Sequence, residues 1–224
     1  MKKAFLLIAG LINLAASAVY IACSPADIVP THWNYQGVAD GFMPKWTMMI
    51  MPIITLLYGI TAFVIEIVMS KRGEGKNLKY VRKIFLALFL FAAALSWLFL
   101  PLSMRRTNNI GCIVNSAMLL LLGALIVFMG NLLPKVSQNG WLGVRTSSTL
   151  SNETVWRKTH RLAGYLGVGT GLLMIVMGAV NAALGIDQPY LILICAAVIL
   201  ITLALIPSVY AARLSKKLNS QNQL

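Results

Sequence analysis

The stretch IGCIVNSAMLLLLGALIVFMGNLL, Ile110–Leu133, contains no charged residue. A helix rises about 1.5 Å per residue, so roughly 20 such residues cross a hydrocarbon core about 30 Å thick. Reading outward, a polar island follows, NGWLGVRTSSTLSNETVWRKTHRLAG at Asn139–Gly164, and the chain then turns apolar again at Leu162–Leu184. The same alternation recurs throughout: Ala4–Ala22, Thr47–Met69, Ile84–Leu102 and Tyr190–Ala211 are further apolar runs near membrane-spanning length. Backbone in lipid must satisfy its own hydrogen bonds, so each run is a helix. The sequence predicts an all-α polytopic membrane protein with six transmembrane helices. Its composition, 58% hydrophobic and 11% charged, leaves no separate soluble domain.

Charge sets the expected orientation. An even number of spans puts both termini on one side. That side then carries Lys2 and Lys3, the basic residues of Lys71–Lys83, those of Lys135–Arg161, and Arg213, Lys216 and Lys217. Only Lys45, Arg105 and Arg106 fall opposite, while the acidic residues divide three to a side. The positive-inside rule therefore predicts cytoplasmic termini. The net charge of +13 is then a topology signal, and no motif of direct nucleic-acid binding accompanies it. The pair Arg105–Arg106 breaks the pattern without explanation from sequence.

The first apolar run is longer than a typical signal-peptide core, and Tyr20 stands where a lipoprotein signal wants an aliphatic residue, so it reads as a retained span. Cys23, Cys112 and Cys195 are odd in number and lack zinc-like spacing. They read as buried thiols acting as small hydrophobes.

In the island, Gly140, Gly143 and the hydroxyl run Thr146–Thr149 suit a turn-rich loop. Ser151 is the expected N-cap of the next helix, with Glu153 in its first turn. Helical spacing places Trp156, His160, Gly164, Gly167 and Gly171 on one side, and the small residues permit close helix approach. Arg157, Lys158 and Arg161 suit interfacial anchoring. Arg145 lies inside the loop within reach of Asn152 and Glu153. A loop-locking ion pair and a partner-binding role both stay open for it. Glu66 is expected to pair locally with Lys71 or Arg72.

The loop Cys23–Trp46, on the expected outer side, is broken from the first helix by Pro25 and Pro30. Ala39-Asp40-Gly41 reads as a turn. Between them, Thr31-His32-Trp33-Asn34-Tyr35 sets ring faces beside hydrogen-bonding groups. It can cap the bundle, with Trp33, Tyr35 and Trp46 as interfacial anchors, or form a recognition surface.

Catalysis finds little support. His32 and His160 fall on opposite sides of the membrane, the carboxylates are scattered, and no phosphate loop, nucleophile elbow or zinc motif appears. No cofactor and no metal is expected. Asn13, Asn115 and Asn181 lie within spans, which keeps a small-solute or peptide transporter as the alternative reading. The spans nevertheless lack the buried charges usual in ion coupling. A purely structural membrane component is a third class.

The pieces GNLLPK at Gly130–Lys135, GVRTSSTLSNETVW at Gly143–Trp156 and KTHRLAG at Lys158–Gly164 resemble the SdpI-like family of bacterial membrane proteins. IVPTHWNYQGVADG at Ile28–Gly41 resembles the short domain of unknown function that often precedes the SdpI domain. The resemblance implies a bacterial cell-membrane protein giving immunity against a secreted antimicrobial peptide toxin. Some relatives also signal by recruiting a transcriptional repressor. On that reading His32, Trp33, Asn34, Tyr35 and Asp40 face the toxin. Arg145, Thr146, Asn152, Glu153, Trp156, His160 and Arg161 form a cytoplasmic partner or signalling loop, and Gly164, Gly167 and Gly171 serve helix packing. The expected organisation is a two-helix region over 1–83 with its outer loop at 23–46, and a third helix with a short outer loop over 84–109. An SdpI-like domain over 110–211 follows, with its structured loop at 135–161, then a basic polar tail over 212–224.

Overall fold

A computed structural model describes residues 4–71, 75–140, 142–185 and 190–221. Lys2, Lys3, Arg72 and Trp141 lie outside the described residues. The described chain contains α1 (Phe5–Ala22), strands β1 (Ile28–Trp33) and β2 (Ala39–Pro44), α2 (Ile50–Lys71), α3 (Gly75–Met104) and α4 (Gly111–Leu132). A five-residue α5 (Ser147–Ser151) precedes the long α6 (Glu153–Leu184). The last span is α7 (Leu191–Ile199), a π-helical turn at Leu200–Leu205, and α8 (Ile206–Gln221). Six helical segments are long and apolar enough to cross a membrane. The expected helical fold thus stands, with one addition, the two-stranded hairpin β1–β2.

Several boundaries differ from expectation. The third helix begins near Gly75 rather than Ile84, so its basic first turns extend the span. The expected polar tail after Ala211 continues as helix to Gln221. Pro207 explains the π turn before it. Proline has no N–H and its ring crowds the carbonyl four residues back, and a widened turn accommodates both faults.

The chain divides into two compact units, Met1–Ala117 with Asn181–Pro189, and Met118–Val180 with Tyr190–Leu224. In the first, α1 and α2 run antiparallel in close contact: a Cβ built on Gly59 would lie 2.7 Å from the Leu6 carbonyl oxygen. Ile21, Val29, Met48, Leu100 and Met104 form one apolar core, and Leu6, Ala62 and Phe89 another. Glu66 is buried and pairs with Arg82 of α3, at 2.9 Å to Nε and 2.5 Å to the terminal nitrogen. This replaces the expected local pairing with Lys71, while Arg72 lies outside the described residues. A carboxylate inside a span favours a guanidinium from the facing helix, which also shields it from lipid. Asn13 accepts from the Trp97 indole at 2.8 Å, and Asn181 donates to Ser116 at 2.8 Å, so each of these asparagines ties two helices together.

In the second unit α4 and α6 pack through small residues. Cβ atoms built on Gly171 and Gly164 would fall 2.6 Å from the Gly123 carbonyl oxygen and 2.8 Å from that of Gly130. Gly123 and Gly130 are seven residues apart, as are Gly164 and Gly171, so the contacts recur every two turns along the antiparallel pair. Gly167 is looser, its built Cβ 3.1 Å from the Gly130 Cα. Leu119, Ile126, Met174 and Cys195 fill the core. Of the cysteines only Cys195 is buried; Cys23 is exposed and Cys112 half-buried, and all three are free thiols, which corrects the reading of three buried ones.

Candidate functional site

Two constructions could carry function, one in each unit. The first is the hairpin. β1 and β2 pair antiparallel from Ile28↔Pro44 to Trp33↔Ala39, with an irregularity beyond Pro30, whose missing N–H cannot join the ladder. The turn lies at Asn34–Val38, not at Ala39-Asp40-Gly41, which instead opens β2. The Asn34 side-chain oxygen accepts from the backbone N–H of Gln36 and of Val38, both at 3.0 Å, and this local bonding fixes the turn. Gly37 completes it at φ 76°, a conformation that favours glycine.

The loop after α3 docks on this hairpin. Ala39 N–H donates to the Asn108 carbonyl at 2.8 Å and Ile110 N–H to that of Gly37 at 2.9 Å. The Trp33 indole donates to the Thr107 carbonyl at 3.1 Å, and its ring lies 6.1 Å from that of Phe99. Ser103 donates to the Pro30 carbonyl at 2.5 Å. Arg106 now has a role. At φ 55° it is the left-handed residue ending α3, with its N–H on the Ser103 carbonyl and the Thr107 N–H on that of Leu102.

Of the residues proposed from sequence, the hairpin therefore holds two kinds. Trp33 and Asn34 are half-buried and engaged in building it. His32, Tyr35 and Asp40 are exposed, and His32 Nδ1 lies 2.5 Å from Asp40 Oδ1. Beside them Val38, Phe42, Met43 and Trp46 expose apolar surface that sequence reading did not assign, apart from Trp46. Lys45 donates to the Ser24 carbonyl at 2.8 Å.

The second construction is the island, built around two fully buried side chains, Trp156 and His160. The Trp156 indole donates to the Val136 carbonyl at 2.8 Å, and its ring stacks on that of His160 with centroids 4.0 Å apart. His160 Nδ1 faces the Trp156 carbonyl at 2.9 Å, while Nε2 faces the Val144 N–H at 3.0 Å. Nε2 must accept, so Nδ1 must donate: only the neutral Nδ1–H tautomer satisfies both. Thr149 donates to the Val144 carbonyl at 2.8 Å, and Thr146 and Thr149 exchange backbone-to-hydroxyl bonds in a capping box. Gln138 closes the far side, donating to the carbonyls of Thr149 and Leu150, both at 2.8 Å.

The cap of α6 is Asn152 rather than the expected Ser151. Its side-chain oxygen accepts from Thr154 N–H at 2.8 Å and Val155 N–H at 3.1 Å. Ser151 instead donates to the Ser148 carbonyl. Arg145 donates to the Gly140 carbonyl and pairs with no acidic side chain among the described residues. Trp156, His160, Thr146 and Asn152 thus hold the island's shape. Arg145, Glu153, Arg157, Lys158 and Arg161 remain exposed on it. The parts that sequence reading missed, Val136 and Gln138, act through a backbone carbonyl and an uncharged amide and leave no pattern in a single sequence.

Residues 135–210 match the SdpI/YfhL protein family, and residues 8–56 match a domain of unknown function, DUF1648. Over 192 residues the chain is 28% identical to the immunity protein SdpI of Bacillus subtilis (strain 168), which covers 85% of each chain. No solved structure matches the chain.

Proposed function

We propose that this SdpI-like, multi-pass bacterial membrane protein is an immunity factor that protects its host cell from a secreted antimicrobial peptide. The observation that carries the reading is the similarity to an immunity protein along 85% of both chains. The hairpin is the peptide-facing element. Tyr35, Val38, Phe42, Met43 and Trp46 offer aromatic and aliphatic area of the kind that dominates recognition surfaces. The exposed carboxylates of Asp27 and Asp40 suit a cationic, amphipathic peptide. The hairpin's tie to the loop at 107–110 gives it a rigid base, so little conformational freedom is lost on binding.

The island is the partner-facing element, expected in the cytoplasm under the positive-inside rule. Its exposed basic residues, Arg145, Arg157 and Arg161, displayed on a hydrogen-bonded scaffold, fit an acidic patch of a transcriptional repressor held at the membrane. Expression of the chain in a peptide-sensitive bacterium tests the reading. Survival under challenge with the secreted peptide should rise, and unchanged survival at normal membrane levels overturns it.

A further inference from the structure

We infer that the second unit holds a specific site for an anionic phospholipid, in a groove between α6 and α8 on the basic side. The open groove has a volume of about 390 Å³ and is lined by Leu162, Leu205, Ile206, Val209, Tyr210 and Arg213. Its wall follows helical spacing: Ile206, Tyr210 and Arg213 rise along one stripe of α8, so an apolar slot ends in a guanidinium. Arg213 is exposed and pairs with no acidic side chain among the described residues. On the facing helix, Lys158 stands one turn before Leu162 on the same stripe and is also exposed. An acyl chain suits the apolar slot, and a phosphodiester suits the guanidinium that ends it.

Charge complementarity selects this occupant over a neutral lipid. Basic pockets between membrane helices beside apolar surface suit anionic headgroups. The groove also starts at Leu205, the last residue of the π turn, an irregularity often found at binding sites. Because α5 of the island packs against α8, the bound lipid would brace the island from below.

Native mass spectrometry of the full chain, delipidated in detergent, tests this. Phosphatidylglycerol should be retained over phosphatidylcholine, and Arg213→Gln should weaken retention about fivefold, the effect of one basic side chain near an anionic surface. Val209→Trp, which fills the slot, should weaken it as well, while Arg145→Gln, outside the groove, should not. Glycerol phosphate alone should fail to compete. Equal retention of both lipids overturns the inference. So does full competition by glycerol phosphate, retention indifferent to both groove variants, or dimers that Val209→Trp dissociates without any lipid preference.

Discussion

Val144 donates its backbone N–H to Nε2 of His160 at 3.0 Å, and the residue before it, Gly143, sits at φ 112° against the same ring. A Cβ on Gly143 would lie 2.1 Å from that nitrogen. The Gly-Val-Arg-Thr segment and the Lys-Thr-His-Arg segment are therefore one structure, a loop hung on a helix by an imidazole.

Gly143→Ala should consequently cost about 1–3 kcal/mol from backbone conformation alone, with a steric term added. Thermal unfolding in detergent should show the loss. In a His160→Ala background, which itself leaves the part-buried Val144 N–H without its acceptor, the same substitution should cost clearly less. Additive losses would mean that the two residues do not act on each other.

The ion pair of Glu66 and Arg82 predicts a different pattern. Glu66→Ala strands a guanidinium in a span, and with Arg82 31% exposed at its side chain the loss should be about 2 kcal/mol. Exchanging the two residues, Glu66→Arg with Arg82→Glu, should recover most of the folded protein that either single change loses. If Lys71→Ala proves as damaging as Arg82→Ala, the local pairing expected from sequence is the operative one.

Membrane sidedness is open to direct chemistry. With the native cysteines replaced, Gln36→Cys in the hairpin turn should react with an impermeant thiol reagent in intact cells, and Ser147→Cys in the island should react only after lysis. The reverse pattern would invert the orientation and exchange the two proposed roles.

Spans were legible in the sequence because hydrocarbon imposes length and apolarity on every residue of a run. The glycines at 164, 167 and 171 were legible as a spacing, but their partners Gly123 and Gly130 were not, since contact between distant helices leaves no local signature. The hairpin escaped for a related reason. Pro30 and the Asp40-Gly41 pair read as loop and turn, while the strands exist because the loop at 107–110 pairs with the turn and Ser103 binds Pro30. In the island, Trp156 and His160 stood out as polar aromatics at an interface, a pattern shared by binding residues and by buried scaffolds. Burial separates the two, and it places them among the scaffold.

Survival under peptide challenge, compared at matched membrane levels between the unaltered chain and a Tyr35→Ala, Phe42→Ala variant, tests the central claim most directly. Both side chains are half or more exposed and support no hydrogen bond of the hairpin, so folding should be spared. The unaltered chain should protect a sensitive strain, and the variant should lose most of that protection. Full protection by the variant, or none by the unaltered chain, would contradict peptide interception by the hairpin.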